Sequence, residues 1–250
     1  MLAGSLGLAI GVLVWAPPGS ESAGSSSRSS EIKADALESQ RALVERYEAE
    51  GKYPKAIAIQ ESMVAALEEL GPDHPQVAEA RQVLAWLCVL QGRYEVAIPQ
   101  ATRALAVHER MFEGDHPVLA RSLMVMGWAY RGVGSLEKAE PMLVRSLAMR
   151  ERLLGPEHPD VAEVMGHLGH VVREQGYYER AAQIFERARG IAERALGPDH
   201  EQVANQLLRL ALIDYAMRRY DLAEPAFLRA LEIFERRLGP NHPRVATTLV

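Results

Sequence analysis

Five histidines, His74, His116, His158, His200 and His242, stand 42 residues apart, each inside a turn of nearly constant wording. The copies read "LGPDHP" from Leu70, "FEGDHP" from Phe112, "LGPEHP" from Leu154, "LGPDH" from Leu196 and "LGPNHP" from Leu238. Evenly spaced imidazoles could ligate a metal or act as a row of bases. Geometry excludes a shared metal, because copies one repeat apart are separated by at least the ~8–10 Å of helix packing. Two ligands of one zinc each lie only about 2 Å from it. A second constellation, Glu163, His167, His170 and Glu174, falls at i, i+4, i+7 and i+11 on one helix face. Two imidazoles and two carboxylates suit a divalent ion. The outer glutamates, however, are about 16 Å apart along a helix axis, so at most three groups converge. The plainer reading is a polar helix face with a modest pH response, and no metal or cofactor is assigned.

Other chemistry is thin. The one cysteine, Cys88, excludes an intramolecular disulfide and aligns with Tyr130 and Val172 on an apolar stripe, as a small core residue would. "RGVGSLEKA" (Arg131–Ala139) has a Gly-x-Gly but neither a third glycine nor a preceding strand, so it is no dinucleotide fingerprint. No P-loop, HExxH or Gly-x-Ser-x-Gly occurs, and no catalytic residue is assigned. A net charge of −5 gives no general attraction to phosphate backbones, which argues against nucleic acid. The basic residues are 24 arginines (28 Lys+Arg less four lysines), a skew that a GC-rich genome alone explains.

The histidines must therefore be placed by their surroundings. At the 42-residue offset Gly92, Gly134 and Gly176 coincide, with Arg218 in the fourth place. Ala97, Ala139, Ala181 and Ala223 coincide, as do Arg103, Arg145, Arg187 and Arg229. So do the pairs Glu109-Arg110, Glu151-Arg152, Glu193-Arg194 and Glu235-Arg236. An earlier copy, one residue shorter, places Gly51 and Ala56. Within a unit the apolar period is helical. Val77, Ala78, Leu84, Ala85 and Cys88 form one stripe, and Ala97, Ala101, Ala104 and Leu105 a second. Each unit reads as a helix, a short turn at the glycine and a longer helix, and neighbours must stack to bury both stripes. The repeated hexapeptide is then a hinge. Gly71 ends a helix, Pro72 blocks its continuation, His74 sits at a cap position, and Pro75 fits the first turn of the next helix.

These units resemble tetratricopeptide repeats of the 42-residue kinesin-light-chain-like type. The resemblance rests on "LGPEHPDVAEVMGHLGHVVREQGYYERAAQIFERARGIAERALG" (Leu154–Gly197) and "YDLAEPAFLRALEIFERRLGPNHPRVATTL" (Tyr220–Leu249). It covers about residues 31–250 and implies an all-α, right-handed superhelical solenoid of about five hairpins plus the start of a further helix. It also implies a concave groove, lined by the first helix of each unit, for extended or helical protein segments. The family often carries two adjacent asparagines there. Here the places read Gln82-Val83, Met124-Val125, Gly166-His167 and Leu208-Arg209, so asparagine-based peptide capture and microtubule transport do not follow.

Carried over by position, the groove face comprises Glu79, Gln82, Trp86 and Val89, then Arg121, Met124, Trp128 and Arg131. It continues through Glu163, Gly166, His170 and Arg173 to Asn205, Leu208, Leu212 and Tyr215, with His167 and Arg209 beside it. Each set has i, i+3, i+7, i+10 spacing, one face of a helix. Trp86 and Trp128, with Met124 between them, read either as an anchor for a partner's apolar groups or as core rings across the helix seam. Arg121, Arg131, Arg173 and Arg209 favour a protein or peptide ligand with acidic residues beside an apolar anchor. The expected function is a non-catalytic interaction scaffold.

The first thirty residues differ in kind. Residues 1–16 are apolar and uncharged, and residues 17–30 have the Pro/Gly/Ser composition of a linker. Sixteen residues fall short of the roughly 20 that span a bilayer. A membrane anchor remnant, a cleaved signal and a disordered apolar extension all remain open. The first two place the chain at a membrane or outside the cell, the last in the cytoplasm. The chain also stops just after "HPRVATTLV" opens a new helix, without the polar capping helix a solenoid normally carries. That suggests a longer product, and with it a second reading: the sensory or regulatory arm of a membrane-linked signalling enzyme such as a protein kinase.

Overall fold

The computed structural model describes residues 26–239 together with Val245 and Thr248, and side chains from Leu37 onward. The apolar segment 1–16, most of the linker tract and His242 lie outside the described residues. Among the described residues up to Gly239, ten α-helices follow one another: α1 (Ser26–Ala49), α2 (Tyr53–Leu67), α3 (Pro75–Leu90), α4 (Tyr94–Met111), α5 (Pro117–Gly132), α6 (Leu136–Leu154), α7 (Pro159–Glu174), α8 (Tyr178–Leu196), α9 (Glu201–Ala216) and α10 (Tyr220–Leu238). Among the described residues there is no strand, and no helix is long and apolar enough to cross a membrane. Helix α1 begins at Ser26, inside the tract whose composition reads as a linker. Serine costs a helix only about 0.5 kcal/mol relative to alanine, so a short Ser/Arg run can extend one already nucleated downstream.

The helices pair as the repeat requires: α1 with α2, α3 with α4, α5 with α6, α7 with α8 and α9 with α10, and each pair packs on the next. The two stripes read from the sequence are the core. Val77, Ala78, Ala85, Cys88, Ala97 and Ala104 are fully buried, and Leu84 nearly so. Buried side chains run in adjoining clusters from Val44 to Val245, so each hairpin is completed by its neighbours. First helices approach one another directly, α3 with α5 and α5 with α7, more closely than the second helices do. That asymmetry makes the first-helix side the inner face.

The hinge histidines cap helices. Nδ1 of His74, His116, His158 and His200 accepts the backbone N–H of Gln76 (3.3 Å), Val118 (3.3 Å), Asp160 (3.2 Å) and Gln202 (3.2 Å) respectively. Only a neutral ring with its proton on Nε2 can accept there, so the cap fixes the tautomer. The residue before each histidine has its own task. Arg110 reaches back to Asp73 (2.7 Å), Arg152 to Asp115 (2.9 Å), Arg194 to Glu157 (2.8 Å) and Arg236 to Asp199 (2.9 Å). These clasps are exposed and individually weak, but they repeat at one register and tie each second helix to the preceding hinge.

The glycine of the inner turn has a conformational cause. Gly92, Gly134 and Gly176 have φ of 78°, 76° and 89°, and Arg218, in the same place, is held at φ 60°. A side chain in that left-handed region costs roughly 1–2 kcal/mol. Replacing Arg218 with glycine is therefore expected to stabilise the chain by about 1 kcal/mol, read as a higher urea midpoint. A lower midpoint would mean that the Arg218 side chain contributes more than its backbone strain removes.

Candidate functional site

The inner face carries a row of rings and cations, one element contributed by each first helix. Trp86 on α3 donates its indole N–H to Glu48 on α1 (2.7 Å). Its ring meets Trp128 on α5 edge-on, with centroids 5.6 Å apart at 75°. Trp128 in turn lies against the His167 ring on α7, 4.4 Å away. Both tryptophans are half-buried and pack against the core. Core contact is thus part of the role of both rings, and the rest of each stays accessible.

Arg121 sits over Trp86, its guanidinium carbon 5.7 Å from the ring centroid. Among the described residues it makes no ion pair or hydrogen bond. Burial pulls its pKa below the ordinary arginine value, while the more distant Glu48 and Glu163 work the other way. It remains charged, because a guanidinium does not deprotonate in proteins. Its neighbour Arg150, from α6, is committed. It donates to Asp160 O and Glu163 Oε2, both at 2.8 Å, and to the Met124 sulfur at 3.4 Å. Arg131 chelates Glu174, with Nε 3.0 and 3.1 Å from the two carboxylate oxygens, and Arg173 lies 3.6 Å from the same group. Arg209 on α9 bonds Gln206 and lies over the Phe185 ring. Gly166 makes room for it: a Cβ there would fall 2.6 Å from Arg209 Nη1.

Within this cationic surround two imidazoles are held neutral. Burial first, then Arg209, Arg131 and Arg150, pushes His167 down to about 3. Burial, then Arg209, Arg131, His167 and Arg173, pushes His170 down to about 2. His170 packs edge-on to Phe185 at 5.4 Å, and its Nδ1 is buried without a hydrogen-bond partner. The helix-face set Glu163, His167, His170 and Glu174 is therefore engaged elsewhere, with each carboxylate on an arginine and each imidazole on an aromatic ring. Among the described residues no three His, Cys, Asp or Glu side chains gather as metal ligands. Burial also pushes the Cys88 thiol up, away from nucleophilic thiolate chemistry.

Part of the sequence-derived face is not groove. Met124 is 2% exposed, Val89 1% and Gln82 7%. Neighbouring first helices pack directly on one another, so positions at the edge of the expected strip fall into the seam. Gln82 Nε2 reaches the Val118 carbonyl on α5 (3.4 Å), and Met124 is covered by Arg150 from α6. Met124 is core rather than an anchor between the tryptophans. Glu79 pairs with Arg41 across α1 and α3 (3.4 Å). Leu208 packs half-buried on the core, while Leu212 and Tyr215 are exposed, the latter edge-on to Tyr220. Glu48, Arg150 and Phe185 were not among the expected groove residues. Arg150 had a partial signal: its later counterparts Ala192 and Phe234 are apolar, although the earlier one is His108.

A tetratricopeptide repeat family model matches residues 35–110, 97–152, 130–194 and 203–250. Among curated proteins, none matches the chain. Solved structures with the same fold include a chain of nearly identical kinesin-light-chain TPR-like repeats from Podosopora anserina. It is 22% identical, with 80% of this chain and 95% of that one covered and a TM-score of 0.67. BtubC (BKLC) from P. vanneervenii is 21% identical, with coverage of 78% and 80% and a TM-score of 0.65. A Rap protein complexed with Competence and Sporulation Factor is 19% identical, with coverage of 82% and 60% and a TM-score of 0.66. At these identities the likeness is one of fold.

Proposed function

The chain belongs to the tetratricopeptide repeat family, and from that premise we propose that it is a non-catalytic scaffold holding an acidic protein segment along its inner face. The observation that carries this reading is Arg121. It is a half-buried cation with no carboxylate partner among the described residues, stacked over Trp86 where a ligand would lie. A desolvated charge to which neither nearby acid, Glu48 nor Glu163, bonds directly is costly, and a carboxylate from a partner relieves that cost. The exposed sides of Trp86 and Trp128 offer apolar contact on either hand, which suits an acidic residue next to an aromatic or aliphatic one. The Rap structure, complexed with its factor, supports the use of this fold for holding a partner.

Selection of a random peptide library on the immobilised chain tests the proposal. Enriched peptides are expected to pair Asp or Glu with a large apolar residue, and to bind more weakly as salt rises. Arg121→Gln should weaken them by about 2 kcal/mol, the scale of a charge-assisted hydrogen bond. Enrichment of basic peptides, or equal binding by Arg121→Gln, would contradict the proposal.

A further inference from the structure

Two departures from the repeat pattern meet at one place, on residues that the groove does not use. Position 81 belongs to the packed stripe, where the later units have Leu123, Met165 and Leu207. Here it is an arginine, only 4% exposed. Position 103 holds the arginine common to all units. Arg145 reaches Glu109 (2.6 Å), Arg187 reaches Glu151 (2.7 Å), and Arg229 reaches Asp199 and Glu232. The first unit is one residue shorter, so the place that holds Glu109 and Glu151 for the later arginines falls at Glu68, which Arg81 takes instead. Arg103 accordingly makes no ion pair among the described residues.

Both arginines line one pocket of about 340 Å³, together with Pro72, Asp73, Ala106 and Arg110. Arg81 gives Nη1 to Gln100 (2.8 Å) and Nη2 to Glu68, but its Nε–H is buried with no acceptor. Arg110 is held by Asp73. Three guanidinium groups therefore face two carboxylates, Glu68 and Asp73. The pocket keeps one positive charge in excess on a chain whose net charge is −5. A buried donor without an acceptor and an arginine without a counter-ion are complementary to an anion. Their N–H groups belong to different helices, α3 and α4. That arrangement suits an anion whose acceptor oxygens point in several directions, as a phosphate's do, better than a planar carboxylate.

We propose that this pocket, between α3, α4 and the Pro72–Asp73 turn, binds a phosphate group, either as inorganic phosphate or as a phosphate monoester of a small molecule. Calorimetric titration of the full chain with inorganic phosphate, and separately with glycerol phosphate, tests it against sodium chloride at matched ionic strength. Saturable binding by at least one phosphate compound is expected, with an affinity about tenfold lower in Arg103→Gln. Arg103 is exposed, so that variant should keep the wild-type melting point in chloride. Arg121→Gln should bind phosphate like the wild type, which separates this site from the groove. Equal affinities for the two compounds would show that the phosphate group suffices, and tighter glycerol phosphate that the ester is also read. Heats no greater than those of chloride, or an Arg103→Gln titration matching the wild type, would overturn the proposal.

Discussion

Acidification from pH 7 to pH 5 is expected to destabilise the array by several kcal/mol, while most carboxylates are still ionised. The cause is three imidazoles that the fold keeps neutral. His108, 3% exposed and 3.3 Å from the Ser122 hydroxyl, is pushed down to about 4 by burial and, less, by His116. His167 and His170 lie lower still, at about 3 and about 2. A histidine in the unfolded chain takes up its proton near pH 6.5, while these three in the folded chain do not until pH falls to their depressed values. Their contribution is thus complete above pH 6.5 and is lost as pH falls below it. Each resistant group loses about 1.4 kcal/mol per pH unit, hence about 2 kcal/mol at pH 5 and about 6 for the three. His116, which burial pushes below its ordinary value, acts in the same direction, because a protonated ring has no lone pair to accept the Val118 N–H. Urea melts at the two pH values give the difference. In the double variant His167→Gln/His170→Gln, about two-thirds of the loss should disappear. A pH-independent midpoint would mean that these rings are solvated and that the inner face is looser than described.

Phe185→Ala is expected to cost about 3–5 kcal/mol, the largest effect of any single truncation considered. Phe185 is fully buried on α8, and Gly169 on α7 lies so close that a Cβ there would fall 2.5 Å from its ring. His170 meets its edge and Arg209 its face, so the ring supports the inner face from behind. Leu84→Ala, on the same packed stripe as Cys88, should cost about 2–5 kcal/mol. Trp86→Ala should cost less, about 1–2 kcal/mol, because the ring is half-buried and loses mainly its bond to Glu48 and its edge contact with Trp128. Binding of a selected acidic peptide should show the reverse order, with Trp86→Ala the more damaging at about 2 kcal/mol. A Trp86→Ala variant as unstable as Phe185→Ala would make the ring core and remove one wall of the groove.

Much of this was legible in the residues because repetition amplifies it. Five copies of one hinge placed His74 and its kin at helix starts, and the four among the described residues cap helices there. The apolar stripes fixed which side of each helix is buried, and Leu84, Cys88 and Ala97 lie where the period puts them. What periodicity could not resolve was the width of the inner face. Met124 and Val89 share the angular position of Arg121 and Arg131 to within part of a turn. Only the direct approach of α3, α5 and α7 decides that the first pair is in the seam and the second at its rim. The pairing of the arginines was equally hidden, since Arg150 and Arg121 differ by partners on other helices rather than by local sequence. The pocket around Arg81 was visible only as a polar residue in an apolar column.

The central claim is that partners are held on the first-helix face, and a spin-labelled copy of a selected acidic peptide tests it most directly. Added to the 15N-labelled chain, the nitroxide is expected to broaden the indole N–H signals of Trp86 and Trp128. The amide signals of Val144 and Leu228, exposed on the second helices α6 and α10, should remain sharp. Broadening at Val144 and Leu228 with both indoles unaffected would place the partner on the second-helix side and contradict the account.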